Sequence, residues 1–309
     1  MRYLITGGAG FIGSHLVEHL IARGDDVVVL DDFSTGRREN LEAFDGDFEL
    51  IEGTLLDPDT CARAVRGADY VMHEGAIPSV PRSVKDPLTS HEACVTGTLN
   101  MLIAARDAQV RRFVYAASSS AYGNTAELPK HEGMLPRPLS PYAASKYAGE
   151  CYCRAFHATF GMSTVALRYF NIFGPRQDPN SQYAAAIAKF ISSALSGTSP
   201  SIYGDGEQTR DFTYVANAVA ANLLACQAGD DANGDVFNVG CGERISVNDL
   251  WSRIRKATGA SVEPTYVETR AGDVRDSLAS LEKIGRVLGY KPIVDLDAGL
   301  HHTINYFRN

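Results

Sequence analysis

The chain has 309 residues, 45% of them apolar and 21% charged, enough to close a sizeable hydrophobic core without disulfides or a structural metal. With 37 acidic side chains against 29 basic ones the formal net charge is −8, and no basic tract offers a nucleic acid or a membrane surface a footing. No apolar run approaches the ~18 residues of a membrane span, and the N-terminus runs straight into a strand pattern instead of a leader, so secretion and membrane insertion are not expected.

In chain order, short runs rich in Val, Ile, Leu and aromatics predict strands at Arg2–Thr6, Asp26–Asp31, Phe48–Glu52, Tyr70–His73, Phe113–Ser118 and Thr164–Tyr169. Helical patterns lie between them at Phe11–Ala22, Pro58–Val65, Glu92–Ala108 and Tyr142–Phe160. This alternation predicts an α/β fold, a doubly wound parallel sheet covered on both faces. After Asn171, Gly-Pro and Asp-Gly punctuation alternates with helices at Ala184–Leu195, Val215–Ala225 and Val247–Lys256. The expected organisation is a nucleotide-binding domain over 1–171. A smaller C-terminal α/β lobe over 172–309 follows, with some segments returning to the sheet. Six cysteines lack zinc or redox spacing, and Cys151 and Cys153 point to different faces of one helix, so all six read as reduced thiols. The eight histidines form no ligand spacing, His301-His302 reads as a solvated helix turn, and no metal site is expected.

Gly7-Gly8-Ala9-Gly10-Phe11-Ile12-Gly13 follows the first strand and opens the first helix. Gly7, Gly10 and Gly13 allow a tight turn, close approach of a pyrophosphate and close helix–strand packing, and the helix start at Phe11 and Ile12 offers free N–H groups. Asp31 ends the second strand eighteen residues beyond Gly13, where a carboxylate accepts from an adenosine ribose hydroxyl. With Asp32 it would repel a 2′-phosphate and favour NAD. Arg37 and Arg38 are the counter-indication, since a guanidinium could hold that phosphate.

Tyr142 and Lys146 stand four apart on one helix face, and the strand before them ends in Ser118-Ser119-Ser120 at the edge that faces the cofactor crevice. Bringing a phenol from about 10 to about 7 takes roughly 4 kcal/mol of differential stabilisation, which a Lys146 ammonium and a nicotinium charge could supply.

With these motifs together the chain resembles, over nearly its whole length, an extended short-chain dehydrogenase/reductase of the NAD-dependent UDP-hexose 4-epimerase family. The segments that carry the likeness are 6–13, 118–123, 142–146, 168–175, 204–212 and 270–277. The resemblance implies Ser118 as the catalytic hydroxyl, four residues before Tyr122. Tyr142 would exchange the C4 hydroxyl proton while hydride leaves C4, Ser118 would hold O4, and Lys146 would keep the phenol acidic and anchor the nicotinamide ribose. The 4-keto sugar would then turn over before hydride returns. Dehydratases of the family carry Asp-Glu where this chain has Ser119-Ser120, and uronate-acting members typically carry Thr and Arg in place of Asn171 and Asp178. A UDP-glucuronate epimerase or decarboxylase, or a dehydratase, remains the alternative enzyme, and an NAD-sensing binding module the alternative without catalysis.

Ser79-Val80-Pro81-Arg82-Ser83, the stretch 116–123 and Arg176-Gln177-Asp178-Pro179-Asn180 are similar to the UDP-N-acetylglucosamine 4-epimerase subgroup. By the same resemblance Arg210 and Arg270 would clamp the UDP diphosphate, Asn171 would contact phosphate or sugar, and Tyr203 would lie by the uracil. Ser79, Ser119 and Ser120 would border the substrate. Ser277, four residues after Asp273, would stand beside the C2 substituent, where its small size admits an acetamido group and implies UDP-GlcNAc and UDP-GalNAc as substrates beside UDP-Glc and UDP-Gal. A cytoplasmic homodimer through 92–108 and 142–160 is also implied. Two positions depart from the family: Thr54 stands for an adenine-contacting Asp, leaving the backbone of Thr54-Leu55 for that contact, and Glu74-Gly75 replaces Leu-Ala after the strand-end His73, a charge in a stretch that is otherwise apolar.

Overall fold

The computed structural model describes residues 1–179, 186–269 and 274–308. The apolar runs form β1 (Arg2–Thr6), β2 (Asp26–Asp31), β3 (Glu49–Glu52), β4 (Tyr70–His73), β5 (Arg112–Ser118) and β6 (Thr164–Tyr169). Helices connect them: α1 (Phe11–Ala22), α2 (Pro58–Ala64), α3 (Val80–Lys85), α4 (Pro87–His91), α5 (Gly97–Asp107) and α6 (Pro141–Phe160). Beyond them come β7 (Ile172–Phe173), α7 (Ala186–Ser196), β8 (Ser201–Tyr203), β9 (Thr209–Arg210), β10 (Thr213–Tyr214), α8 (Val215–Gln227), β11 (Asp235–Val239), β12 (Ile245–Ser246), α9 (Val247–Thr258), β13 (Thr265–Val267), α10 (Glu282–Leu288) and α11 (Leu296–Arg308).

Seven strands make one parallel sheet in the order β11-β6-β5-β4-β1-β2-β3. Its continuous apolar strands need cover on both sides. Leu16, Val17 and Leu20 of α1 and Ala218, Ala221 and Ala225 of α8 close one face. Met101, Leu102 and Ala105 of α5 and Cys153 and Phe156 of α6 close the other. The order reverses between β1 and β4, so a crevice opens outside their C-terminal ends. A further core of Phe173, Phe190, Phe212, Leu250, Trp251 and Ile304 lies among α7, α9 and α11.

The sequence predicted a single helix over Glu92–Ala108. The chain is helical over Glu92–Asp107, as a π-turn at Glu92–Thr96 followed by α5, and the short α3 and α4 add helix ahead of it from Val80. Ser79 and Asp86 cap α3 and α4 through their side chains, and Pro81 and Pro87 occupy first turns, which sets α3 apart from the helical run that begins at Pro87. On α6 Cys151 is exposed and Cys153 buried, and on α11 both His301 and His302 are exposed. Among the described residues no helix is long and apolar enough to cross a membrane.

Candidate active site

Gly7 turns the chain out of β1 at φ 68°, a left-handed conformation that glycine adopts without strain. A Cβ on Gly13 would lie 2.1 Å from the Gly7 carbonyl oxygen, so only glycine lets α1 start this close to β1. Asp31, buried at the tip of β2, accepts from Ala9 N at 2.9 Å and from Phe33 N at 2.8 Å, thereby fixing the glycine turn. Burial raises its pKa against the pull of these two bonds. The carboxylate expected to face a ribose is thus also a brace of the loop. Asp32 is exposed and accepts from Ser34 N. Arg38 lies over the Phe33 ring at 4.0 Å and pairs with Glu52, while Arg37 borders the cleft. Thr54 and Leu55 stand outside the cleft wall. Thr54 Oγ1 accepts from Leu56 N, and the Leu55 side chain packs against Gly75 and Gly97.

A cleft of about 810 Å³ gathers Gly7, Phe11, Ile12 and Gly13 with Ser79, Ser118, Ser119, Ser120, Tyr142, Lys146, Asn171, Arg210 and Ser277. A second cavity of about 500 Å³ shares Asn171 and Arg210 with it and is walled by Tyr203, Gln208 and Phe212. Arg270 and Asp273 lie outside the described residues, as does Asn180.

Ser118 ends β5, and its hydroxyl accepts from Ser120 N at 3.2 Å, lies 2.8 Å from the Ser120 hydroxyl and acts on the Tyr142 phenol in the same cleft wall. Tyr142 and Lys146 occupy the first two turns of α6, which Ser140 starts by accepting from Ala143 N at 3.1 Å. Lys146 is buried, with Nζ 4.6 Å from the Tyr115 ring centre, and the Tyr115 hydroxyl donates to the Lys146 carbonyl. The Tyr142 phenol was expected to be pulled down by Lys146. Burial instead holds its pKa above the ordinary value, with Ser118 pulling the other way. Burial also lowers the Lys146 ammonium. In this cleft the phenol therefore needs additional positive charge to ionise at neutral pH.

Asp211 and Lys130 escaped the sequence reading, and Glu74, noticed there, finds its partner in the fold. Asp211, with no exposed surface, accepts from Cys241 N, Gly242 N and Ala279 N, tying the strand that carries Arg210 to the segment that carries Ser277. Ser277 N donates to Thr209 O at 3.1 Å, and Asn171, at φ 37°, donates from its amide to Asp211 O at 3.0 Å. The signal for Asp211 was its place beside Arg210, which pointed to the arginine and not to the anchor. Lys130, although buried, is spoken for by Thr125 and by the Glu127 carbonyl. Glu74 lies in the cleft wall and accepts from the Tyr169 hydroxyl at 2.7 Å, a partner 95 residues away, which accounts for a charge that the sequence left unexplained.

The glycine turn without room for a Cβ, the α1 start and the acid at the tip of β2 fit a dinucleotide. The model of the NAD dependent epimerase/dehydratase family matches residues 3–240. The chain is 40% identical over 313 residues to the UDP-glucose 4-epimerase of Mycolicibacterium smegmatis, covering 100% of this chain and 99% of that one. Among solved structures, the UDP-N-acetylglucosamine 4-epimerase of Methanobrevibacter ruminantium, in complex with UDP-N-acetylmuramic acid, superposes with a TM-score of 0.94 at 39% identity, covering 99% and 98% of the two chains. The UDP-glucose 4-epimerase of Thermus thermophilus, in complex with NAD, gives a TM-score of 0.91 at 36% identity, covering 100% and 99%. Sequence, sheet order and cleft agree: the chain belongs to the NAD-dependent epimerase/dehydratase family and is an isomerase of the UDP-sugar 4-epimerase kind that uses NAD.

Proposed function

We propose that the enzyme interconverts UDP-GlcNAc and UDP-GalNAc, together with UDP-Glc and UDP-Gal. The observation that carries this reading is Ser277, 8% exposed and in the same cleft wall as Ser118 and Tyr142. A serine there leaves room that a bulky ring would fill, and a packed pocket expands only at a cost.

Bound NAD supplies the reversible hydride acceptor that C4 of the sugar needs. Tyr142 takes the O4 proton, Ser118 keeps O4 in place between the two half-reactions, and Lys146 brings positive charge to the phenolate. Gly7, Gly10, Phe11, Ile12 and Gly13 cradle the pyrophosphate, and Asp31 and Asp32 face the ribose side. Arg210 and Arg270 hold the diphosphate while Asn171, Ser79 and Tyr203 border the nucleotide and sugar, so binding energy rests on the nucleotide and leaves the hexose free to turn. Residues 1–171 serve the cofactor and 172–309 mainly the nucleotide sugar. Ser119 and Ser120 carry no carboxylic acid to protonate a leaving hydroxyl, which separates this reading from a dehydratase. A homodimer through 92–108 and 142–160 is part of this reading, with Ile103 of α5 and Phe160 of α6 exposed, and six free thiols suit the cytoplasm.

Coupled assays on the four UDP-hexoses test this, with product mass as the second readout. Turnover of the acetylated pair with unchanged mass supports it. Activity confined to UDP-Glc and UDP-Gal removes the acetylated assignment, and loss of water or carbon dioxide removes epimerisation.

A further inference from the structure

Glu74 follows the last residue of β4 and places a carboxyl in a cleft wall that continues through Ala76 and Ile77. The Tyr169 hydroxyl donates to its Oε1 at 2.7 Å, and Asn222 Nδ2 donates to the Tyr169 oxygen at 2.6 Å. β6 and α8 thereby fix the carboxyl in the cleft that Tyr142 and Lys146 also line. The titratable groups that face it are Tyr169 from β6 and Tyr142 and Lys146 from α6, while Cys226 of α8 acts on Tyr169. His73, beside it on β4, is kept neutral by burial and by Lys146. The other carboxylate acting on Lys146, Glu150, is held by Arg168.

We propose that Glu74 is a positioning residue that sets the acidity of Tyr142: a carboxylate at 74 adds negative charge to the cleft wall that Tyr142 shares, so it keeps the proton on the phenol, and a neutral carboxyl lets it go. Two acids in one cleft each oppose the other's ionisation. The sign agrees with the surroundings, since negative charge on Glu74 raises the pKa of both Tyr142 and Lys146. Burial pushes the Glu74 carboxyl up to about 7, against the pull of the Tyr169 bond and of Lys146, so it changes charge near neutrality. The proposal rests on Tyr142 being the base of the reaction.

The test is an ultraviolet difference titration of the Tyr142 phenolate in the NAD-loaded enzyme, with the Tyr142→Phe protein as blank. Glu74→Gln removes the charge and keeps an acceptor for Tyr169, and Glu74→Leu removes both. In either variant the Tyr142 midpoint should fall by about one pH unit, and the acid limb of the kcat profile should move with it. An unmoved midpoint in whichever variant folds overturns the proposal and leaves Glu74 a packing partner of Tyr169. The titration reads ionisation directly, so its failure leaves the base assignment standing. Near-native turnover in Tyr142→Phe would remove that assignment instead.

Discussion

Glu150 and Arg168 meet as a two-pronged ion pair, Nε to Oε1 at 2.9 Å and Nη2 to Oε2 at 2.7 Å, with side chains 6% and 3% exposed. The pair ties α6, one turn beyond Lys146, to the neighbouring β6, and the guanidinium lies 4.6 Å from the Tyr122 ring centre. Removing one partner strands the other charge away from water. Glu150→Gln should therefore cost about 3 kcal/mol of unfolding free energy, whereas Glu150→Leu with Arg168→Met should cost less than that single change. Denaturant titrations of the variants check this, and a double variant less stable than the single one would contradict it.

Tyr142→Phe removes one hydroxyl from a side chain whose ring still packs in the cleft wall. The fold and NAD content should be retained while epimerisation falls by at least ~100-fold. Turnover alongside cofactor content, measured on the same preparation, decides the point.

Ser277→Tyr should act on one substrate pair and not the other. A ring in the place of a hydroxymethyl group would clash with an acetamido substituent by roughly 1–3 kcal/mol, a loss of about 5- to 150-fold in kcat/KM for the acetylated sugars. Paired kinetics on both sugar types are the measurement, and equal losses on the two would show that Ser277 does not gate the C2 group.

His15 lies between the two parts of the chain. Its Nδ1 accepts from Arg176 Nη2 at 2.9 Å, which leaves Nε2–H to donate to Pro175 O at 3.0 Å. Burial, and then Arg176, push its pKa down to about 4. An unfolded imidazole takes a proton near pH 6.5 that the folded one refuses, so this stability is present above ~6.5 and is lost as pH falls toward ~4. The unfolding free energy of the native protein relative to His15→Asn should drop by up to ~2 kcal/mol between pH ~6.5 and ~5. Denaturation of both proteins across that range gives the answer, and a constant gap would mean that the imidazole protonates normally.

What was legible in the sequence follows the range of the forces involved. Tyr142 and Lys146 could be paired by eye because the helix repeat fixes their spacing, and Gly7 to Gly13 because the steric demand lies within one turn. β11 was missed: Asp235–Val239 is five residues long and pairs with β6, Val236 against Ala166, across about a quarter of the chain. The π-turn at Glu92–Thr96 has the composition of an ordinary helix, so no local pattern marks it, and it packs against α6 in the fold. Glu74 was noticed as a misplaced charge, yet its partners on β6 and α8 come from distant stretches, so no local pattern could explain it.

Ser277 belongs to a short segment held by Thr209 and by the bridge from Lys130 to Ala279, while Ser118, Tyr142 and Lys146 sit on β5 and α6. On the proposed reading, the surface that measures the substrate and the surface that reacts with it are thus anchored on different scaffolds. Substitutions can accumulate on the first without straining the second, and grafting residues 274–279 between relatives becomes a route to exchanging sugar preference while the proton-transfer chemistry is inherited unchanged.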